Sequence, residues 1–123
     1  MPERQKRILC VENDKDTCQL LNHLLTSQGY EVMGADSIEE CFNLAEKYPF
    51  DLFVLDYWYE EITGVDICKQ LHQKYTTPIV FFSGEARGGI KQEALETCAD
   101  AYITKPNIDI LIQTVHEVIG NAQ

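Results

Sequence analysis

Three runs of consecutive apolar residues, Ile8 to Val11, Leu52 to Leu55 and Ile79 to Phe82, recur along the chain, and stretches of helical period separate them. That alternation predicts strands at 7–12, 30–35, 51–56, 78–83 and 101–104, with helices near 15–28, 38–48, 64–74, 88–98 and 107–119. Strands alternating with helices point to an α/β fold built on a parallel sheet. The three unbroken runs suit strands covered on both faces, whereas Tyr30-Glu31-Val32 and Ala101-Tyr102-Ile103-Thr104 mix polar with apolar positions as edge strands do. With right-handed crossovers, five parallel strands with those edges take the order 2-1-3-4-5, with helices on both faces. Winding then reverses between the first and third strands, and a ligand crevice is expected at their carboxyl tips.

Local signals agree with these limits. Asp14 is placed to cap the first helix, Gly29 to close it, and Ser37 with Glu40 to form a capping box on the second. In the last helix Ile108, Leu111, Ile112, Val115 and Ile119 form one stripe facing the sheet.

Composition narrows the function classes. A chain of 123 residues fits one domain, 1–123 with a core from 7 to 119, and leaves no room for a separate output module. Ten basic against twenty acidic residues give a net charge of −10, which disfavours direct binding to nucleic acid or to an anionic membrane. Arg4, Lys6 and Arg7 precede an apolar run too short for a signal peptide or a membrane span, so a cytoplasmic location is expected. The five cysteines are odd in number and scattered, with no C-x-x-C pair, and read as reduced, buried hydrophobes. Cys68 and His72 lie one helical turn apart, but no second pair completes a zinc site.

Chemistry concentrates at the expected crevice. The first strand runs into Glu12-Asn13-Asp14 and the third into Asp56. Three carboxylates and an amide oxygen so placed are costly unless a cation neutralises them, and hard oxygen donors favour magnesium. Taken singly, Asp14 is an ordinary helix cap and Glu12 a solvated acid. The fourth strand ends at Ser83 and the fifth is followed by Lys105-Pro106, adding a hydroxyl and an ammonium to the same rim. Together these groups make a phosphoryl-transfer constellation with Asp56 as the nucleophile. Pro106 fits a turn that shapes the site.

With these residues in place the chain resembles the receiver domain of bacterial two-component response regulators over residues 7–119. The matching segments are Ile8 to Asp14, Asp51 to Asp56, Gly64, Pro78 to Gly84 and Ala99 to Pro106, in that order and spacing. The resemblance implies a flavodoxin-like fold of receiver type and phosphorylation of Asp56 by a histidine kinase, a phosphotransfer protein or a small phosphodonor. It implies Mg2+ held by Glu12, Asn13, Asp56 and the backbone carbonyl of Trp58, and charge compensation by Lys105. Ser83 and Tyr102 would be the switch residues, with Tyr102 swinging inward to repack the face of the fourth helix, fifth strand and fifth helix for a downstream partner. Trp58 and Glu85 match positions flanking the phosphoryl group. Such a domain assists its own phosphorylation and is not a turnover enzyme.

The chain departs from the family pattern at identifiable points. Asn13 stands where an aspartate is usual, bringing an oxygen but no charge. The loop Tyr57-Trp58-Tyr59-Glu60-Glu61 lacks the usual aliphatic residue and the proline expected at Glu60. Glu85 to Gly89 is expected to be a flexible loop that lets Ser83 move. A rival reading is a pseudo-receiver, an interaction module independent of phosphorylation, favoured by Asn13. Flavodoxin-type binding is disfavoured by the acidic loop after the first strand, Rossmann binding by the lack of G-x-G-x-x-G, and a haloacid-dehalogenase-like phosphatase by Trp58 in place of a second aspartate.

Overall fold

The three unbroken apolar runs, Ile8 to Val11, Leu52 to Leu55 and Ile79 to Phe82, are buried throughout and form the centre of the sheet. The structure, a computed structural model, describes residues 5–59 and 62–121, so Arg4 and Glu60 lie outside the described residues. Strands β1 (Arg7–Val11), β2 (Glu31–Ala35), β3 (Leu52–Leu55), β4 (Ile79–Ser83) and β5 (Ala101–Thr104) alternate with helices α1 (Lys15–Ser27), α2 (Ile38–Lys47), α3 (Gly64–Lys74), α4 (Gly88–Thr97) and α5 (Ile108–Asn121). All pairings are parallel and the order is β2-β1-β3-β4-β5, as the apolar runs predict. Val11 pairs with Leu55, and Ser83 with Thr104, so Glu12, Asp56 and Lys105 each begin the loop just past a strand tip.

Alternate residues of each strand feed opposite sides of the sheet. Leu9, Phe53, Leu55, Ile79, Phe81 and Tyr102 pack with residues of α2, α3 and α4. On the other side Ile8, Leu52, Val54, Val80, Phe82 and Ile103 pack with Leu21 and Leu25 of α1 and with Leu111, Val115 and Ile119 of α5. The α5 stripe is therefore core as its spacing predicts, although Ile112 is only half-buried and Val118 packs alongside.

The capping signals hold with one shift. Asp14 accepts the Thr17 amide at 3.0 Å, and Gly29 sits at φ 96°, a left-handed conformation that glycine adopts without a Cβ clash. Ser37 accepts the Glu40 amide at 3.1 Å, but the Glu40 carboxylate reaches back to the amide of Asp36, one residue before the cap. Helix α4 is held least: Arg87 at its N-cap makes no side-chain capping bond, and Ala94 is its one buried residue. Gly88 and Gly89, expected in a flexible loop, occupy its first turn, where each costs about 1 kcal/mol relative to alanine.

The reading of all five cysteines as reduced is corrected. Cys68 in α3 and Cys98 at the C-cap of α4 are joined by a disulfide with their Cα atoms 6.2 Å apart. Thirty residues separate them in sequence, and only the packing of α3 and α4 on the same side of the sheet brings them together. The pairing also removes Cys68 from any zinc site with His72. Cys10, Cys18 and Cys41 are free; Cys10 and Cys41 are buried as expected, and burial pushes the Cys41 thiol up to about 12 and the Cys10 thiol higher still.

Non-reducing peptide mapping of protein kept from added thiols should therefore recover one peptide pair joined through Cys68 and Cys98, with Cys10, Cys18 and Cys41 alkylated only after denaturation or, for half-buried Cys18, faster than the other two. Five freely alkylated cysteines in the unfolded, unreduced chain would show the pairing to be absent.

Candidate functional site at the strand tips

Glu12 leaves the tip of β1 almost fully buried, at 3% exposure, and Asp56 leaves the adjacent tip of β3. Held ionised in that burial, Glu12 needs a partner. Lys105, reaching across from the end of β5, supplies one: its Nζ lies 2.8 Å from Glu12 Oε1 and 3.3 Å from Asp56 Oδ2. The Lys105 amide donates to the Ser83 carbonyl at 2.8 Å, which fixes where that side chain starts, and the Lys105–Pro106 peptide is cis.

Burial raises the Glu12 carboxyl above its ordinary value, with the hydrogen bond from Lys105 opposing. Burial also works against the Lys105 charge, but the hydrogen bond to Glu12 and the field of Asp56 outweigh it and hold the ammonium above its usual range. Asp56 Oδ1 accepts the Tyr57 amide at 2.7 Å, while Oδ2 faces Lys105. One carboxylate oxygen is thus oriented by the backbone and the other by a side-chain cation.

The structure brings Glu12, Asp56, Ser83 and Lys105 together and places the remaining candidates around them. Ser83 is fully buried, and its Oγ accepts the Glu85 amide at 3.1 Å. Tyr102 lies inside: its ring stacks on Phe81 with centroids 5.5 Å apart, and its hydroxyl donates to the Glu85 carbonyl at 2.7 Å. The ring thus already stands inward, where the resemblance has it arrive only by swinging. Burial raises its phenol, with Ser83 opposing. Glu85 pairs with Arg87, which lowers its carboxyl below the ordinary range. Trp58 is half exposed; its indole packs edge-on against Tyr57 at 4.7 Å, and its backbone bridges to Thr63. Asn13 is exposed beside Glu12.

The expected trio of carboxylates is reduced to two. Asp14 turns away to cap α1, accepting from both the amide and the hydroxyl of Thr17, and those bonds lower its carboxyl. Among the described residues no cluster of three or more His, Cys, Asp or Glu could hold a metal. What remains is a pair of acids, Glu12 and Asp56, flanked by the Asn13 amide and the Trp58 carbonyl. All four donors are hard oxygens, and the two acids already share a cation, so the set fits a divalent ion of the magnesium type better than zinc.

Two residues shape the site in ways the sequence does not announce. Gly64 opens α3 against the loop: a Cβ there would meet the Asp56 carbonyl oxygen at 2.3 Å, and the Gly64 amide donates to the Tyr57 carbonyl at 2.5 Å. Only a residue without a side chain lets α3 approach the backbone of Asp56 so closely. Tyr59 was legible only as a departure in its loop, yet its hydroxyl accepts the Asp56 amide at 2.8 Å and donates to the Val11 carbonyl at 2.9 Å.

A parallel sheet of this order, with paired acids at the switch point and a lysine from the last strand, defines the class of receiver folds. The chain matches the response regulator receiver domain over residues 8–116 and belongs to that family. It is 34% identical to the cell cycle transcriptional regulator CtrA of Caulobacter vibrioides, over 95% of this chain and 53% of CtrA. It is 37% identical to the alkaline phosphatase synthesis transcriptional regulatory protein PhoP of Bacillus subtilis, over 82% of this chain and 42% of PhoP. The chain spans about half the length of the curated relatives it matches. Among solved structures, a two-component response regulator from Clostridium difficile superimposes with a TM-score of 0.90 at 29% identity, covering 95% of this chain and 98% of that one. The response regulator TrrA of Thermotoga maritima, in complex with Mg2+ and beryllium fluoride, does so with a TM-score of 0.83 at 27% identity, covering 93% and 99%. Among the described residues, no helix is long and apolar enough to cross a membrane.

Replacing Lys105 with methionine strands Glu12 as a buried, unpaired acid. The Glu12 carboxyl is already raised in the folded state, so its folded form binds more protons than its unfolded form above the ordinary value of 4.5, and stability falls as pH rises through that window. Lys105 offsets this, and its own contribution persists until pH climbs past 10.5. Urea unfolding of Lys105→Met is expected to show a loss of about 2–3 kcal/mol at pH 7, discounted for the partial exposure of the lysine, and a smaller loss at pH 4. An equal loss at both values would disprove the pairing as the source.

Proposed function

We propose that this chain is the phosphoacceptor domain of a two-component signalling pathway. The observation that carries the reading is the Lys105 ammonium lying between Glu12 and Asp56 at neighbouring strand tips of a receiver-family chain. In the proposed reaction an Asp56 carboxylate oxygen attacks the phosphorus of a phosphohistidine on a histidine kinase or phosphotransfer protein, or of a small acyl phosphate. A new O–P bond forms, the bond from phosphorus to the donor breaks, and the donor leaves with the electron pair.

Each residue has a task that its position supports. Glu12, Asn13, Asp56 and the carbonyl of Trp58 would hold Mg2+, an ion that the similar response regulator TrrA carries together with beryllium fluoride. Bound there, the ion would offset charge on the transferring group. Lys105 sits on Asp56 Oδ2 and would move to the incoming phosphoryl oxygens, trading one anion for another. Ser83 would rotate its hydroxyl from the Glu85 amide toward the same group.

Tyr102 is the link to a partner. Its hydroxyl holds the Glu85 carbonyl, two residues from Ser83, so a shift of the Ser83 loop changes what Tyr102 can bond. Phosphorylation would then favour one of two arrangements of the α4, β5 and α5 face, which a downstream protein reads. Glu85 and Trp58 flank the phosphoryl group and would influence its lifetime. The domain completes its own phosphorylation and dephosphorylation without turning over a substrate, and its place is the cytoplasm, where histidine kinases present their phosphohistidine. A charge of −10 argues against direct contact of this domain with nucleic acid, whatever its transcriptional relatives do through the rest of their chains.

A second reading, an interaction module that takes up no phosphoryl group, is favoured by one observation: Asn13 brings no charge where the metal would bind. Intact mass after incubation with acetyl phosphate and magnesium separates the two. The parent is expected to gain one phosphoryl group and Asp56→Asn none; an unmodified parent would leave the module. In a magnesium titration followed by Trp58 fluorescence, Asn13→Asp should bind about 10–100-fold more tightly, and equal affinity would show that position 13 does not limit the site.

A further inference from the structure

We propose that Tyr59 is a positioning residue for the phosphoacceptor, its hydroxyl standing as a rung between the tips of β1 and β3. The inference rests on the reading of Asp56 as the phosphorylated residue. The ladder between these strands ends at the pair Val11 and Leu55. One step further on, the Asp56 amide donates to the Tyr59 hydroxyl at 2.8 Å, and that hydroxyl donates to the Val11 carbonyl at 2.9 Å. A phenol oxygen thus replaces a direct strand-to-strand contact and carries it across the gap where the two strands part.

The two residues joined in this way bear directly on the acids. Val11 is bonded to Glu12, and the Asp56 amide belongs to the nucleophile itself, so the hydroxyl couples the backbone of one carboxylate to that of the other. The remaining bonds at each end do not duplicate it. Glu12 is tied through its own amide to Ala35 on β2, away from β3, and Asp56 is otherwise oriented by the Tyr57 amide next to it in sequence. Lys105 joins the two side chains, but in the proposed reaction it must release Asp56 to follow the phosphoryl group. The Tyr59 bridge bonds only main-chain atoms of the two strands and has no such step to make.

The loop holds the ring for this purpose. Trp58 bridges to Thr63, and the Gly64 amide bonds the Tyr57 carbonyl, so the residues just before Tyr59 are tied to the start of α3. The ring packs against the cluster on the α2, α3 and α4 side. A bridge of this kind preorganises two oxygen donors for a shared cation. Removing it lowers the fraction of molecules with the donors in register and raises the cation concentration needed, while leaving the chemistry of the assembled site in place.

The test is Tyr59→Phe, which keeps the ring and removes one oxygen, with three readouts. Hydrogen exchange at the Asp56 amide, followed by NMR, should speed up while amides in the centre of β3 keep their protection. The magnesium concentration for half-maximal phosphorylation by acetyl phosphate should rise about tenfold, the size of effect seen for groups that orient metal ligands, with the maximal rate at saturating magnesium within about twofold. Magnesium binding without a phosphodonor, followed by Trp58 fluorescence, should weaken by the same factor. Unchanged half-saturation and unchanged Asp56 exchange in the variant, with a parent that is phosphorylated, would overturn the inference alone. A fall in maximal rate at every magnesium concentration would overturn it in favour of a structural role, and a parent that takes up no phosphoryl group would remove the proposed function together with it.

Discussion

One ammonium between two carboxylates governs the arrangement of this molecule. Glu12 is almost wholly buried, and Asp56 stands on the neighbouring strand, so the sheet can close at these tips only with a positive charge between them. That charge comes from the far side of β4, which obliges β5 to lie in register with Ser83 so that Lys105 leaves at the right height. The strand order is therefore an electrostatic requirement as well as a packing one. A receiver that exchanges phosphoryl groups needs its resting charges balanced yet exchangeable, and a lysine on a flexible stem meets both needs where an arginine fork would not.

Much of this architecture was legible in the sequence because it follows from short-range rules. Unbroken apolar runs identified the central strands, mixed runs the edges, and strand-ending polar residues the rim, so Glu12, Asp56, Ser83 and Lys105 were found without a map of contacts. What escaped depends on side-chain direction or on distance in space. Asp14 belongs by sequence with the acids expected at the crevice, but its short side chain accepts instead from two donors of Thr17 at the start of α1. The pairing of Cys68 with Cys98 is set by which side of the sheet α3 and α4 share, and no cysteine spacing encodes it. Tyr59 could have been flagged as a hydroxyl three residues past the nucleophile, but nothing in the sequence shows that it reaches back to β1.

The departures from the family pattern fall on the β1 and β3 tips rather than on the β4 and β5 side. Asn13 brings no charge beside Glu12, and Tyr59 adds a polar bridge next to it, while Ser83, Tyr102 and Lys105 match the family residues at their positions. Changes so distributed lie away from the bonds that join Ser83, Glu85 and Tyr102. Membership of the receiver family thus fixes the machinery, and the tips of two strands decide how it is tuned.

Helix α4 rests on one buried alanine and a sulfur bridge, with an N-cap that makes no side-chain bond and two glycines in its first turn. An element so lightly seated can change its outward residues, its pitch or its length without breaching either half of the hydrophobic interior. Sequence drift there would change the exposed surface while sparing the scaffold, so divergence among otherwise similar chains should gather on this helix first.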